Sequence, residues 1–124
     1  MKLFLMMCVI LAMTADLQAA DHSKPLLQQP PLKELGRTNP YGKQSVAERA
    51  GQKLFKRECA NCHGKQAQGT ERAPALASPV LSQTTPGAIF WVLRNGSLRR
   101  GMPSFSHLPE PQRWQIVTYL KTLR

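Results

Sequence analysis

The sequence predicts an all-α domain of three to four helices. Residues 46–58, 88–94 and 109–122 each pair a helix-start signal with apolar residues at helical spacing. No stretch alternates apolar and polar residues as a half-buried strand does. Between the helical stretches the chain is broken by Gly64, Gly69, Pro74 and Pro79.

The N-terminus belongs to none of these helices. Met1-Lys2 gives a positive start, Leu3 to Met13 carries no charge, and Leu17-Gln18-Ala19-Ala20-Asp21 follows. This is the pattern of a secretory signal peptide over residues 1–20, cut after Ala19 or Ala20. The apolar run is shorter than the roughly 20 residues of a spanning helix, so no transmembrane anchor is expected after cleavage. Leu5-Met6-Met7-Cys8 comes too early for a lipidated cysteine. Residues 21–44, rich in Pro, Gln and Lys, show neither helical nor strand period and read as an extended arm or linker. The remaining domain spans residues 45–124.

Ser45-Val46-Ala47-Glu48 reads as a capping box, with Glu48 three residues after Ser45. The helix it opens runs from Val46 to about Glu58. Gly51 and Phe55 share one face, and a glycine inside a helix asks for a reason, commonly the close approach of another helix. Residues 64–82 read as loop. Thr85 is placed to cap and Pro86 to occupy the first turn of a second helix, Ala88 to Arg94, which Asn95-Gly96 stops. A loop over Ser97 to His107 follows. Pro109-Glu110-Pro111 opens a last helix to about Thr122, on which Trp114, Val117 and Leu120 form an amphipathic stripe beside Ile116 and Tyr119.

The chemistry is concentrated in Cys59-Ala60-Asn61-Cys62-His63, a Cys-x-x-Cys-His sequence. Two cysteines three apart lie on one side of a helical turn, about 5–6 Å between their Cβ atoms. That spacing suits two thioether bonds to the two vinyl groups of one porphyrin. The histidine that follows then lies under the ring and can give a nitrogen to iron. This is the attachment signature of one covalent haem c. A structural zinc site would need a second ligand pair, and the other candidates are Cys8, in the segment expected to be removed, and the unpaired His22 and His107. A thioredoxin-like pair would accompany a βαβ pattern, which is absent. A plain disulfide leaves His63 without a role.

A haem with one histidine needs a second ligand or an open site, and the choice separates an electron carrier from a catalyst or gas binder. Met102 is the best-placed candidate, between Gly101 and Pro103, ahead of His107 and His22. A neutral, soft thioether favours ferrous iron and raises the reduction potential. Near the haem propionates, Trp91, Arg94, Arg99 and Arg100 are candidate hydrogen-bond donors.

With 17 Lys and Arg against 7 Asp and Glu, the net charge is +10. Removing residues 1–20 takes away Lys2 and Asp16 and leaves it unchanged. Such a charge points to an acidic partner or membrane surface and to salt-sensitive association. An exported chain without a nucleic-acid motif argues against nucleic acid. Cleavage leaves two cysteines, too few for a disulfide framework, and 104 of the 124 residues. So small a core is marginal alone, and the apoprotein is expected to be poorly folded.

Residues 46–124 resemble the class I cytochrome c family, of the monohaem bacterial periplasmic type. The resemblance rests on Gly51 and Phe55, the Cys59 to His63 motif, Pro74-Ala75-Leu76, Gly101-Met102-Pro103-Ser104-Phe105, and Trp114 and Tyr119. It implies that the terminal helices cross at Gly51 and that the Pro74 carbonyl accepts a hydrogen bond from His63. It implies haem attachment outside the inner membrane, hence a periplasmic location. It also implies a one-electron carrier with His63 and Met102 as axial ligands, not an enzyme. The partners implied are redox proteins with acidic docking surfaces, a dehydrogenase or terminal oxidase being candidates. Two other readings stay open: an electron-accepting subunit of a larger complex, and a haem enzyme or gas sensor with a labile sixth ligand.

Overall fold

The computed structural model describes residues 29–124. The expected signal peptide, residues 21–28 and His22 lie outside that range. Among the described residues the helices are α1 (Leu32–Leu35), α2 (Ser45–Glu58), α3 (Ala60–His63), α4 (Pro79–Gln83), α5 (Pro86–Asn95) and α6 (Glu110–Leu120), with a 3-10 turn at Leu98–Arg100. Their β structure amounts to one isolated bridge, Ser97 with Met102. The all-α class read from the sequence holds. None of the described helices is long and apolar enough to cross a membrane.

Packing of α2 on α6 organises the domain. Gly51 is the reason the two helices meet closely, since a Cβ there would fall on the Gln115 carbonyl. Four residues on, Phe55 is fully buried, its ring centroid 5.3 Å from that of Tyr119 in a tilted pair. Ile116 and Val117 are fully buried as well. The expected amphipathic stripe on α6 is too narrow: Arg113, Trp114 and every residue from Ile116 to Leu120 are buried. Helix α6 is covered by α2 and α5 and by the arm, so little of it is left to face solvent.

Three local expectations change. Ser45 is the first helical residue rather than the cap, and Gln44 precedes it without a side-chain cap bond. Pro79, read as a breaker within a loop, starts α4 instead; it takes the first turn, where its missing N–H costs nothing, and Ser78 Oγ accepts from the Leu81 N–H. Helix α5 begins as expected, with Thr85 Oγ1 accepting from the Ala88 N–H, and runs one residue further to Asn95.

The third change is in the arm. Residues 29–44 are not a free linker. Helix α1 lies so close to α5 that a Cβ on Gly87 would meet the Glu34 carbonyl. Arg37 donates to Glu110 Oε1 at 2.8 Å, with its guanidinium carbon 4.5 Å from the Phe90 ring centroid. Phe90 stacks on Trp114 at 4.0 Å. Asn39 Nδ2 donates to Thr118 Oγ1 at 2.9 Å, and Tyr41 packs against the core. Beyond the α1–α5 contact and Tyr41, the arm docks through single polar side chains that reach α6, a mode that leaves no periodic trace in sequence.

Candidate functional site

Between the chain after α3, helices α4 and α5, and the loop after α5 lies a cavity of about 430 Å³. Cys59, Cys62, His63, Pro74 and Met102 all line it. The rest of the wall is mainly apolar: Leu76, Leu81, Ile89, Val92, Leu93 and Phe105 contribute. Ile89, Val92 and Leu93 follow the i, i+3, i+4 rule on α5, so their shared face was available to sequence reading and was not used.

Cys59 ends α2 and opens the short helix α3. The Cys62 and His63 N–H groups both return to the Cys59 carbonyl, at 3.1 and 2.9 Å, which closes the turn and brings both sulfurs to one wall. The cysteines are not joined by a disulfide. Cys59 is buried. Burial, then the neighbouring Glu58 and Cys62, pushes its thiol up to about 12. An uncharged thioether suits that apolar environment. Among the described residues no three His, Cys, Asp or Glu side chains cluster to hold a metal ion directly.

His63 Nδ1 lies 2.8 Å from the Pro74 carbonyl oxygen. A carbonyl only accepts, so Nδ1 carries the proton and donates, which leaves the Nε2 lone pair available. The segment bearing Pro74 is tied back to α3. Leu76 and Ala77 N–H groups share the Ala67 carbonyl, and the Gly69 N–H donates to the His63 carbonyl at 2.8 Å. Ala67 is buried with φ of 58°, a left-handed conformation that closes this loop.

Met102 is half-buried. Its N–H donates to the Ser97 carbonyl at 3.1 Å and its carbonyl accepts from the Ser97 N–H at 2.9 Å. Ser104 Oγ donates to the Arg94 carbonyl, and the Phe105 N–H to that of Leu93. Of the four candidate propionate donors, Arg100 lines the cavity; Trp91, Arg94 and Arg99 do not, and Arg72, overlooked in sequence, does. His107 is exposed and away from the wall, its ring 5.9 Å from that of Phe105.

An apolar slot between helices, with two cysteines and a histidine at one wall and a methionine loop on the same cavity, fits a covalently bound tetrapyrrole. Fold and cavity together define a c-type cytochrome domain of the class I kind, with a covalently bound c-type haem as its cofactor. Residues 46–120 match the family described as cytochrome c oxidase, cbb3-type, subunit III, and the chain belongs to that family. Among solved structures it is similar to cytochrome CL from the marine methylotrophic bacterium Methylophaga aminisulfidivorans, with 21% identity and a TM-score of 0.60, covering 83% of this chain and 73% of that one. At that identity the likeness speaks for the fold alone. No curated protein matches.

Proposed function

We propose that the protein is a periplasmic one-electron carrier whose haem is attached through Cys59 and Cys62, with His63 and Met102 as axial ligands. The observation that carries this reading is the convergence of those four side chains on one cavity, with His63 Nδ1–H already committed to Pro74. When bound, the group supplies a one-electron ferric–ferrous couple. The chain's own residues do the rest. The two sulfurs fix the ring to the α2–α3 junction. The Pro74 carbonyl orients the imidazole and raises its basicity. The Ser97–Met102 bridge presents the thioether, and the apolar wall excludes water. The His63 ring, held by Pro74, would contribute little rearrangement during transfer. A net charge of +10 supports fast, salt-sensitive association with acidic redox partners.

Haem staining on a denaturing gel tests the attachment: the wild type stains, and the double variant Cys59→Ala, Cys62→Ala does not. A Met102→Ala protein is expected to lose the weak far-red band of methionine-ligated ferric haem and to fall in potential. An unchanged band would remove Met102 from the ligand set.

A second reading is favoured by the family's description as an oxidase subunit: the domain serves as an electron-accepting subunit held in a larger complex. Purification from the native membrane and soluble fractions distinguishes a free monomer from a stable assembly.

A further inference from the structure

The carbonyls of Cys62 and His63 close a short helix and have no helical partner of their own. The following loop satisfies both. The Gly69 N–H takes His63, and the Thr70 Oγ1–H takes Cys62 at 2.5 Å. Thr70 also controls the path to Pro74. Its Oγ1 accepts from the Arg72 N–H at 3.0 Å, and its N–H donates to the Ala73 carbonyl at 2.9 Å. One hydroxyl therefore joins the turn that carries His63 to the segment that presents the Pro74 carbonyl. Apart from the His63 ring, the ties described between these two pieces run backbone to backbone and do not depend on which side chain is present. Thr70 is the exception.

We infer that Thr70 is a positioning residue: its hydroxyl sets the length and direction of the His63 Nδ1–H···O bond to Pro74 and, through it, the reduction potential. The inference rests on the proposed ligation of iron by His63. A strongly hydrogen-bonded imidazole is a better donor and stabilises the ferric form more than the ferrous one. Loosening the bond therefore raises the potential. The couple involved is ferric iron plus one electron to ferrous iron, with no proton moved.

The test compares Thr70→Val, which keeps the shape and removes the hydroxyl, with Thr70→Ser, which keeps the hydroxyl, both as haem-loaded proteins. Thr70 is exposed, so neither substitution disturbs the core. For Thr70→Val the preference for the ferric form should fall by about threefold to tenfold, tenfold being about 59 mV upward for one electron. Deuterium exchange of the His63 Nδ1 proton, followed by NMR in the ferrous protein, should speed up. Thr70→Ser should restore both. An unchanged potential and exchange rate in Thr70→Val, even with a lower melting temperature, overturns the inference, as does a serine variant that behaves like valine. A wild-type protein whose NMR shows no histidine bound to iron overturns this inference and the ligand assignment together. If that bond is seen and Thr70→Val changes nothing, the ligand assignment stands and only the role of Thr70 fails.

Discussion

The two walls that carry His63 and Met102 are built differently. On the histidine side the side chain itself is anchored: Nδ1–H is bonded to Pro74, and the turn beneath it is gripped by Gly69 and Thr70. On the methionine side the hydrogen bonds hold the backbone, through the Ser97–Met102 bridge and ties from Ser104 and Phe105 to the end of α5, while the side chain is held by apolar packing against the core. A thioether is a weak acceptor and has little to bond to. Its position therefore depends on the stiffness of a loop that contains two positive-φ glycines, Gly96 at 71° and Gly101 at 82°. The histidine side is a fixed part of the fold. The methionine side rests on a glycine-containing loop and should yield first.

The most severe test removes each side chain in turn. His63→Ala strips the better-anchored wall of its proposed ligand while both cysteines remain. Holoprotein yield is expected to drop by more than about tenfold, with loss of the low-spin spectrum. Met102→Ala should leave yield and helical content near wild type and alter only the spectrum and potential. Absorption spectra and circular dichroism of the two variants decide the matter; equal yields would mean that the walls are equivalent.

Next in size is a pair of glycine variants within the loop. A Cβ on Gly96 would lie 2.6–2.7 Å from the Pro103 carbonyl group and the Ser104 nitrogen, whereas one on Gly101 meets nothing within 4 Å. Both positions have positive φ: the left-handed conformation of Gly101 costs a residue with a Cβ about 1–2 kcal/mol, and the extended one of Gly96 about 1–3 kcal/mol. Gly96→Ala adds a backbone clash to that strain and should destabilise the proposed methionine ligation by about 2–3 kcal/mol or more. Gly101→Ala should cost about 1 kcal/mol. Guanidinium titration followed at the methionine band and by far-ultraviolet circular dichroism separates loop loosening from unfolding. The band should be lost at lower denaturant than the helices in both variants, and earlier in Gly96→Ala. Coincident transitions would show the loop to be as firm as the rest.

The same contrast explains what the sequence made legible. The histidine side was readable because Cys-x-x-Cys-His compresses its chemistry into five consecutive residues, and because Pro74 came with the family resemblance. Gly51, Phe55 and Tyr119 were readable because helix crossing imposes a size limit at one position and aromatics beside it. The arm was misread, since Arg37 and Asn39 act singly and across more than 70 residues of sequence. Helix α4 was missed because Pro79 signals a break and a first helical turn equally well, and only the Ser78 cap tells the two apart. Thr70 had no sequence signal. A threonine in a loop becomes informative only when the carbonyl it reaches is known.

The smallest expected effect is also the most local. Ser104 Oγ donates to the Arg94 carbonyl at 2.6 Å and accepts from the Ser106 N–H at 3.1 Å, tying the loop beyond Met102 to the last turn of α5. Ser104→Ala removes the tie to Arg94 and the local bonds with Ser106 at a partly exposed site, a net loss of about 1 kcal/mol. Because these bonds lie on the methionine side, that energy should appear in the loosening of the loop and not in global unfolding. The denaturant midpoint of the methionine band should move down while the circular dichroism midpoint stays within error. The His63 Nδ1 proton should exchange at the wild-type rate, since nothing bonded to Ser104 touches the segment from Gly64 to Pro74. A shift of both midpoints by the same amount would mean that the two walls move as one unit, and the distinction between a fixed wall and a yielding one would fail.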